Sequence, residues 1–426
     1  MKELLEPQYL ALLDSLDPGA DPMAIRKQLD SAIPADVARA LTEQNSLRAR
    51  AGGKFTRTHG VLLTAKGVEQ ATPLGVARRR ARRIHELWKQ GATGDIVLDA
   101  TAGLGADAIA LAEAGLPLVA AEADPLIAQF LAQNLRAHGY PDRVVIARLQ
   151  DGAASAPYLL ADPDRRRPDG RRVGHPEAWS PPLSLVLQAA GKCRGAVIKL
   201  APAMEVAALE AQAQEMGPAC LEWVSWKGEL KEVALWTGQL VDAPAPGWRR
   251  AVALREGQEE QVFAAGPDEL RLSRPSLTAE EARQVRWISE PGAAVLRAGL
   301  VGAMATRTGT NPIGPGIAYL GAEECPSSPL LTNFRVLGTA KADPKRVRAL
   351  LGEHEIGPIT VKRRGHPLNA DELARRFRGP GKKHGLVVFA RLEQGHQAWL
   401  VDRESEAQQS SQTLGQTPPE VDEDLR

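Results

Sequence analysis

Apolar residues recur at helical spacing in "PMAIRKQLDSAI" and "ADVARALTEQNSLRARA", so the first seventy residues predict short helices. A loop-rich connector, "GGKFTRTHGVLLTAKGVEQATP", follows with turn residues at both ends. From Leu74 to Trp88 the pattern predicts a helix, with Ala77, Ala81, Ile84 and Trp88 on one face. Arg78, Arg79, Arg80, Arg82 and Arg83 are expected mostly elsewhere on it. Strands and helices then alternate: "DIVLDA", a helix over 105–114, "LPLVAAE" and a helix over 124–138. The strands "RVVIARL" and "APYLLADP", a helix near 182–191 and the strand "GAVIKLA" complete the series. Such alternation predicts a parallel sheet with right-handed crossovers. "ACLEWVSW" and "KEVALWTGQL", separated by the turn "KGEL", predict an antiparallel hairpin.

"GPDELRLSRPSLTAEEARQ" reads as a junction. Beyond it, "NFRVLG", a helix over 343–352, "PITVKRR", a helix over 370–378, "HGLVVFARL" and "HQAWLVDR" predict a compact β-α-β-α-β-β unit. The polar end, "SEAQQSSQTLGQTPPEVDEDLR", is expected to be a disordered tail. No internal repeat is visible.

At 426 residues, two or three domains are expected. The chain has 53 Lys plus Arg against 52 Asp plus Glu, so affinity for a polyanion must come from local patches. Three well-separated cysteines (Cys193, Cys220, Cys325) argue against a disulfide framework and a Cys-rich zinc site. None of the eight histidines has metal-ligand spacing with a second His or a Cys, so no metal is expected, and His85 is expected at the surface. The opening "MKELLEPQYLALLDSL" places acidic residues among its leucines, unlike a signal peptide, and no apolar run approaches the ~20 residues that span a bilayer. A soluble cytoplasmic protein, not bound to a membrane, is expected; oligomeric state stays open.

The candidate chemistry begins at "VLDATAGLGADAIALA", residues 97–112. Gly103-x-Gly105-x-x-Ala108 formally matches the dinucleotide fingerprint, and equally the turn of proteins that bind S-adenosylmethionine (SAM). Asp99, at the strand end ahead of Thr101 and the glycines, would repel a pyrophosphate but suits the ammonium and sulfonium of SAM. Parallel strands closed by a hairpin also match the methyltransferase sheet better than a dehydrogenase. Glu122 ends the second strand, where an acidic side chain accepts ribose hydroxyls, and Asp151 follows the third, within reach of an adenine amino group. A helix cap and a solvated strand end could account for Asp99 and Glu122 singly. Three acidic residues after three consecutive strands are harder to assign to packing, because buried carboxylates need partners. Thr101, Gly103, Gly105 and Asp107 complete the candidate cofactor set.

The fourth strand ends in "LLADPDRRRPDGRR". In methyltransferases acting on base amino groups, this position reads Asn or Asp, Pro, Pro and an aromatic residue. Here Asp162-Pro163 is kept, Asp164 replaces the second proline and Arg165 the ring. Asp162 is the candidate catalytic residue, with Pro163 beside it, and could orient or deprotonate a nucleophilic nitrogen. Arg165 or Arg166 could stack on a base or clamp a phosphate, in a run continuing through Arg167, Arg171 and Arg172; a solvated loop is the plainer alternative. Lys199, in "AVIKLAP", is expected at the same rim, contacting substrate or pairing with a carboxylate.

The chain resembles the bacterial class I SAM-dependent methyltransferases with a C-terminal THUMP-like domain. "KF" (Lys54, Phe55), "VEQATP" (Glu69, Gln70, Ala71, Thr72), "DATAGLGADAIALA", "LADPDRR", "SPPL", "VIKLAP", "GELKEVALWTG", "ISEPGAAVLRAGL", "IAYL" and "VKRRG" carry the resemblance, in family order, from about residue 45 to 403. It implies an α/β fold: a Rossmann-like class I methyltransferase sheet, parallel strands closed by an antiparallel hairpin, with an N-terminal helical cap and a C-terminal α+β ferredoxin-like (THUMP-like) domain. The expected boundaries are 1–73 for the helical region, 74–270 for the methyltransferase domain, 271–330 for a connecting segment, 331–405 for the THUMP-like domain and 406–426 for the tail.

The resemblance also implies SAM as cofactor and points to RNA as partner, by analogy with RNA-modifying enzymes that carry THUMP domains. Lys362, Arg363, Arg364, Arg375, Arg376, Arg378, Lys382 and Lys383 form a basic group in the C-terminal unit that is compatible with RNA, while Phe377 is expected in the core. Transfer of methyl to a base in rRNA or tRNA is the leading expectation. A small-molecule or protein methyltransferase on the same core, and a non-catalytic RNA-binding protein with a vestigial SAM site, are the alternatives. "KF" and "VEQATP" could close over SAM, contact substrate or serve structure.

Overall fold

The computed structural model describes residues 2–91, 94–149, 156–166, 171, 173–202, 204–242 and 247–403. Asp151, Arg167, Arg172 and the 406–426 tail lie outside the described residues. Two compact units are present: the first holds the chain up to Arg249 with Leu254–Glu260, the second Arg250–Ala253 and the chain from Gln261 onward.

The first unit opens with helices α1 (Pro7–Ser15), α2 (Pro22–Asp30) and α3 (Ala35–Ala51). Asp21 starts α2 by accepting from Ala24 N, with Pro22 at the first helical position, where its missing N–H is no loss. The apolar stripe found in the sequence, Ile25, Leu29, Val37, Leu41 and Leu47, is buried together with Ile109, Phe130, Leu131 and Leu135. The N-terminal helices therefore share a core with the helices of the central fold. Full burial of a side chain such as Phe130 contributes about 1.5–3 kcal/mol.

The expected connector contains a short helix, α4 (Ala65–Gln70), which Thr64 caps through Oγ1 at 3.0 Å from Gly67 N. At 6 residues it is too short for periodicity to reveal. Helix α5 (Leu74–Gln90) forms as predicted, but its arginines do not all face water. Arg79, Arg80 and Arg83 are buried. Glu222 takes Arg79 and Arg83, and Glu232 takes Arg80, so an ionic seam against the sheet runs beside the apolar face of Ala77, Ala81 and Ile84.

Then follow β1 (Val97–Asp99), α6 (Ala106–Glu113), β2 (Leu118–Glu122), α7 (Pro125–Ala137), β3 (Val144–Ile146) and β4 (Tyr158–Ala161). Next are α8 (Leu183–Ala190), β5 (Gly195–Leu200), α9 (Val206–Glu215), β6 (Ala219–Trp226) and β7 (Glu229–Gly238). These seven strands take the order β3-β2-β1-β4-β5-β7-β6. β1 to β5 are parallel, and β7 is antiparallel to both β5 and β6, which is the hairpin closure read from the sequence. Every residue of β4 and β5 is buried, as expected of central parallel strands covered on both faces. β8 (Trp248–Leu254) is divided in sequence between the two units, and β9 (Gln261–Ala265) belongs to the second.

In the second unit come α10 (Pro267–Leu270), α11 (Glu281–Gln284), β10 (Trp287–Pro291), α12 (Ala293–Arg297), α13 (Val301–Thr308), β11 (Asn311–Pro312) and β12 (Leu320–Ala322). They precede β13 (Leu331–Lys341), α14 (Pro344–Glu353), β14 (Ile356–Arg364), α15 (Ala370–Arg376), β15 (Lys383–Arg391) and β16 (His396–Arg403). The order is β11-β12-β10-β13-β16-β15-β14, so strands from the 271–330 stretch pair onto β13 and extend its sheet. Alternation along β15 divides the core: Val387 and Phe389 meet α14 and α15, while Val388 and Ala390 face the opposite way, with Ile288, Phe334 and Trp399.

Candidate active site

A cavity of about 1500 Å³ opens at the C-terminal ends of the parallel strands, where ligands sit in open α/β sheets. One wall is the loop between β1 and α6. Gly103 (φ +54°) and Gly105 (φ +94°) adopt the left-handed region, and a Cβ on Gly105 would lie 2.6 Å from Leu131 Cδ1. Glu122, at the end of β2, holds this loop: Oε2 accepts from Gly103 N at 3.0 Å and Oε1 from Asp124 N at 2.9 Å. Its carboxylate lines the cavity and keeps lone pairs to spare.

Asp99 sits beneath the loop and not on the cavity wall, 2% exposed. Oδ1 accepts from Thr101 N at 3.2 Å, and the buried Oδ2 has no partner. Burial and the neighbouring Asp107 charge push the carboxyl up to about 8.

At the end of β4, Asp162 reaches the cavity with its backbone N–H fixed by Thr101 Oγ1 at 2.6 Å. Its Oδ2 accepts from Lys199 Nζ. Lys199 also donates to Thr72 Oγ1 at 2.8 Å and to Asp107 Oδ2 at 3.3 Å. Asp107 accepts from Thr72 Oγ1 at 2.7 Å and pairs through Oδ1 with Arg80, whose guanidinium also grips Glu232. One buried chain of alternating charge thus runs from Glu232 to Asp162. Burial disfavours the Lys199 ammonium, but Asp107 and Asp162 outweigh it and push it up to about 12. Burial disfavours the Asp107 carboxylate too, and Arg80 and Lys199 bring it down to about 2.

The structure brings Asp162, Pro163, Thr101, Asp107 and Lys199 together with the glycine loop and Glu122. Thr72, Arg80 and Glu232 were not among the candidates from sequence. Their signal was indirect: Glu222 and Glu232 lie in apolar strands, and a buried glutamate requires a cation.

Helix α4 forms the wall facing the acceptor end. Lys66 Nζ lies 2.7 Å from Asp164 Oδ2, Gln70 Nε2 donates to Asp164 Oδ1 at 3.0 Å, and Arg166 Nη1 donates to Glu69 Oε1 at 2.6 Å. Arg166 is therefore tied to an acidic neighbour, while Arg165 lines the cavity. Lys54 Nζ caps α4 at the carbonyls of Val68 (2.5 Å) and Glu69 (2.8 Å), and Phe55 is buried with the N-terminal helices. The aromatic residue missing after Asp162-Pro163 has a counterpart: the Asp164–Ser180 bridge brings Trp179 to the cavity wall.

In the second unit, "ISEP", "IAYL" and "VKRRG" converge. Glu290 accepts from Lys362 Nζ at 2.6 Å and Arg364 Nη2 at 3.3 Å, and the Arg364 guanidinium lies 5.0 Å from the Tyr319 ring centre. β10 and β14 are four places apart, which would be about 19 Å on a flat sheet. The sheet therefore curls, and these ion pairs close the gap. Lys362 and Arg364 are thereby engaged inside the unit, and Phe377 is core as expected. Among the described residues no group of three His, Cys, Asp or Glu could hold a metal ion, and no helix is long and apolar enough to cross a membrane.

Residues 331–403 match the family described as THUMP domain-like. Two Mycobacterium tuberculosis proteins, each named an uncharacterized S-adenosylmethionine-dependent methyltransferase, are 32% identical over 364 residues, covering 83% of this chain and 93% of each relative. A Porphyromonas gingivalis crystal structure, described as that of a candidate methyltransferase, superposes with a TM-score of 0.73 at 20% identity, covering 94% of this chain and all of the other.

Proposed function

The chain belongs to the S-adenosylmethionine-dependent methyltransferases, and from that premise we propose that it methylates a nitrogen of a base in rRNA or tRNA. The site fits the cofactor. Gly103 lines the cavity with nothing within 4 Å of where its Cβ would stand, which leaves room for close approach of a ligand to the backbone, and the buried Asp99 Oδ2 has no partner within the protein. When bound, SAM supplies an electrophilic methyl group carried on a sulfonium. In this reading Gly103 would border it, with Gly105 turning the loop from behind, Glu122 would accept its ribose hydroxyls, and Asp99, ionised once an ammonium stands near, would balance that cation from below the loop. Asp151 is assigned the adenine amino group only from its place in the sequence after β3.

Asp162 offers Oδ1 to the acceptor N–H, because Lys199 already occupies Oδ2. That oxygen would orient the nitrogen and stand ready to take its proton. Thr101, Asp107 and Lys199 serve Asp162: the first fixes its backbone, and the other two hold its carboxylate in place. Arg165 and Trp179 border the entering base.

One observation carries the choice of RNA. Residues 331–403 hold 15 Lys plus Arg against 7 Asp plus Glu, while the rest of the chain holds 38 against 45. A basic module on an acidic remainder suits a polyanion. The α4 contacts with Asp164 and Arg166 narrow the cavity and favour, as second reading, a small-molecule acceptor. Methyl transfer from labelled SAM to total RNA of a strain lacking the gene separates the two, with Asp162→Ala as control. Nuclease-sensitive label that needs Asp162 supports the RNA enzyme. Label found only in small molecules overturns it.

A further inference from the structure

The stretch Arg375–Lys383 carries five basic residues on a turn whose backbone is locked. Gly379 N donates to Gly357 O at 2.9 Å, Gly381 N to Ile356 O at 2.9 Å and Lys383 N to Glu355 O at 3.0 Å. The contact is backbone against backbone. A Cβ on Gly379 would lie 2.2 Å from Ile356 O, one on Gly381 1.9 Å from Glu355 O, and one on Gly357 2.0 Å from Gly381 O. Phe377 plugs the same segment into the core.

Lys383 pairs with Glu355, but Arg375, Arg376, Arg378 and Lys382 are exposed and have no ion-pair partner among the described residues. Helix α14, which covers the same face of the sheet as α15, adds the exposed Lys345, Arg346 and Arg348. The result is a cationic ridge whose backbone is fixed before any ligand arrives. Among the described residues it carries no exposed Phe, Tyr or Trp ring, since Phe377 and Phe389 are buried beneath it, and the exposed ring it does carry is the imidazole of His384 beside Lys383.

Single-stranded RNA is held by stacking its bases on exposed rings, whereas a duplex hides its bases and presents phosphates at fixed spacing. We propose that this ridge docks the phosphate backbone of a double-helical segment of the RNA substrate. The proposal rests on the RNA reading above and adds which RNA form the second unit recognises. A fixed backbone holds the roots of these long side chains in place, so that their charged ends can reach successive phosphates of one duplex.

The test uses the full-length protein, a 16-base-pair RNA duplex and a single-stranded oligouridylate of equal charge, with binding followed by fluorescence anisotropy across a salt series. The duplex is expected to bind more tightly. Replacing Arg375, Arg376 and Arg378 together with Gln should weaken duplex binding more than about tenfold at 0.1 M salt and shrink the slope of log K against log salt by about 2 to 3. A second variant, Lys345→Gln with Arg346→Gln and Arg348→Gln, should shift the slope likewise, and circular dichroism checks that both fold. Tighter binding of the single strand, or unchanged slopes in both folded variants, overturns the proposal. If label still enters RNA in that case, the methylation reading stands without this one. No binding to either RNA together with no label in RNA removes both.

Discussion

Replacing Lys199 with methionine keeps most of the side-chain volume and removes one buried ammonium. At 3.3 Å and an effective dielectric constant of ~20, its attraction to Asp107 is about 5 kcal/mol before any cost of burial. Asp107 stands at about 2 against an ordinary 3.8, so all its surroundings together favour its charge by about 2 kcal/mol. Desolvation therefore cancels all but about 2 kcal/mol of what Arg80, Lys199 and Thr72 supply together. Removing one partner of such a pair strands the other charge, which costs about 3–5 kcal/mol in buried sites. Asp162 contributes less to this loss, because its side chain is one-third exposed and water replaces part of the ion pair.

Lys199→Met is therefore expected to lower stability by about 3–5 kcal/mol, with Asp107→Asn in the same background recovering about 1–3 kcal/mol. Urea unfolding followed by tryptophan fluorescence measures this in the right place. Trp88, Trp179, Trp223, Trp226, Trp236 and Trp248 all belong to the first unit, against two in the second. A loss below about 1 kcal/mol with strictly additive variants would refute the reasoning, since charges that were stabilising one another cannot be removed independently.

Asp162→Ala should abolish methyl transfer and leave SAM affinity nearly intact; an equal loss of both, by calorimetry and turnover, would move the residue into the cofactor site. Asp99 is held at about 8, above its ordinary 3.8, so the stability it contributes is complete below about pH 4 and is lost as pH rises through 8. Asp99→Asn should thus be more stable than the parent at pH 8 and less pH-dependent between 4 and 8, in denaturation curves across that range, while binding SAM more weakly. Gly105→Ala combines a left-handed backbone with the Leu131 contact; a destabilisation of about 1–2 kcal/mol or more and weakened SAM binding are expected, and unchanged affinity would remove the loop from the cofactor site.

Over residues 74–200 and 331–403 the sequence by itself determined the order of strands and helices, because the 2- and 3.6-residue periods are local properties of a chain burying one face of each element, while α9 and the strands β8 to β12 escaped it. It also placed the glycine loop, Asp99, Glu122 and Asp162 at strand ends, since each follows a readable apolar run. Helix α4 escaped it for lack of length. The buried arginines of α5 escaped it because charge in a sequence predicts solvent until a partner is known. Only the tertiary structure decided that Asp99 lies under the glycine loop, that Lys199 holds Asp162, and that Arg166 is tied to Glu69. The contacts that run from Asp162 through Lys199, Asp107 and Arg80 to Glu232 join residues 27 to 152 positions apart in the sequence. Their existence depends on packing that brings distant strands and a helix together. A carboxylate's partner is chosen by burial, and burial is a property of the folded whole.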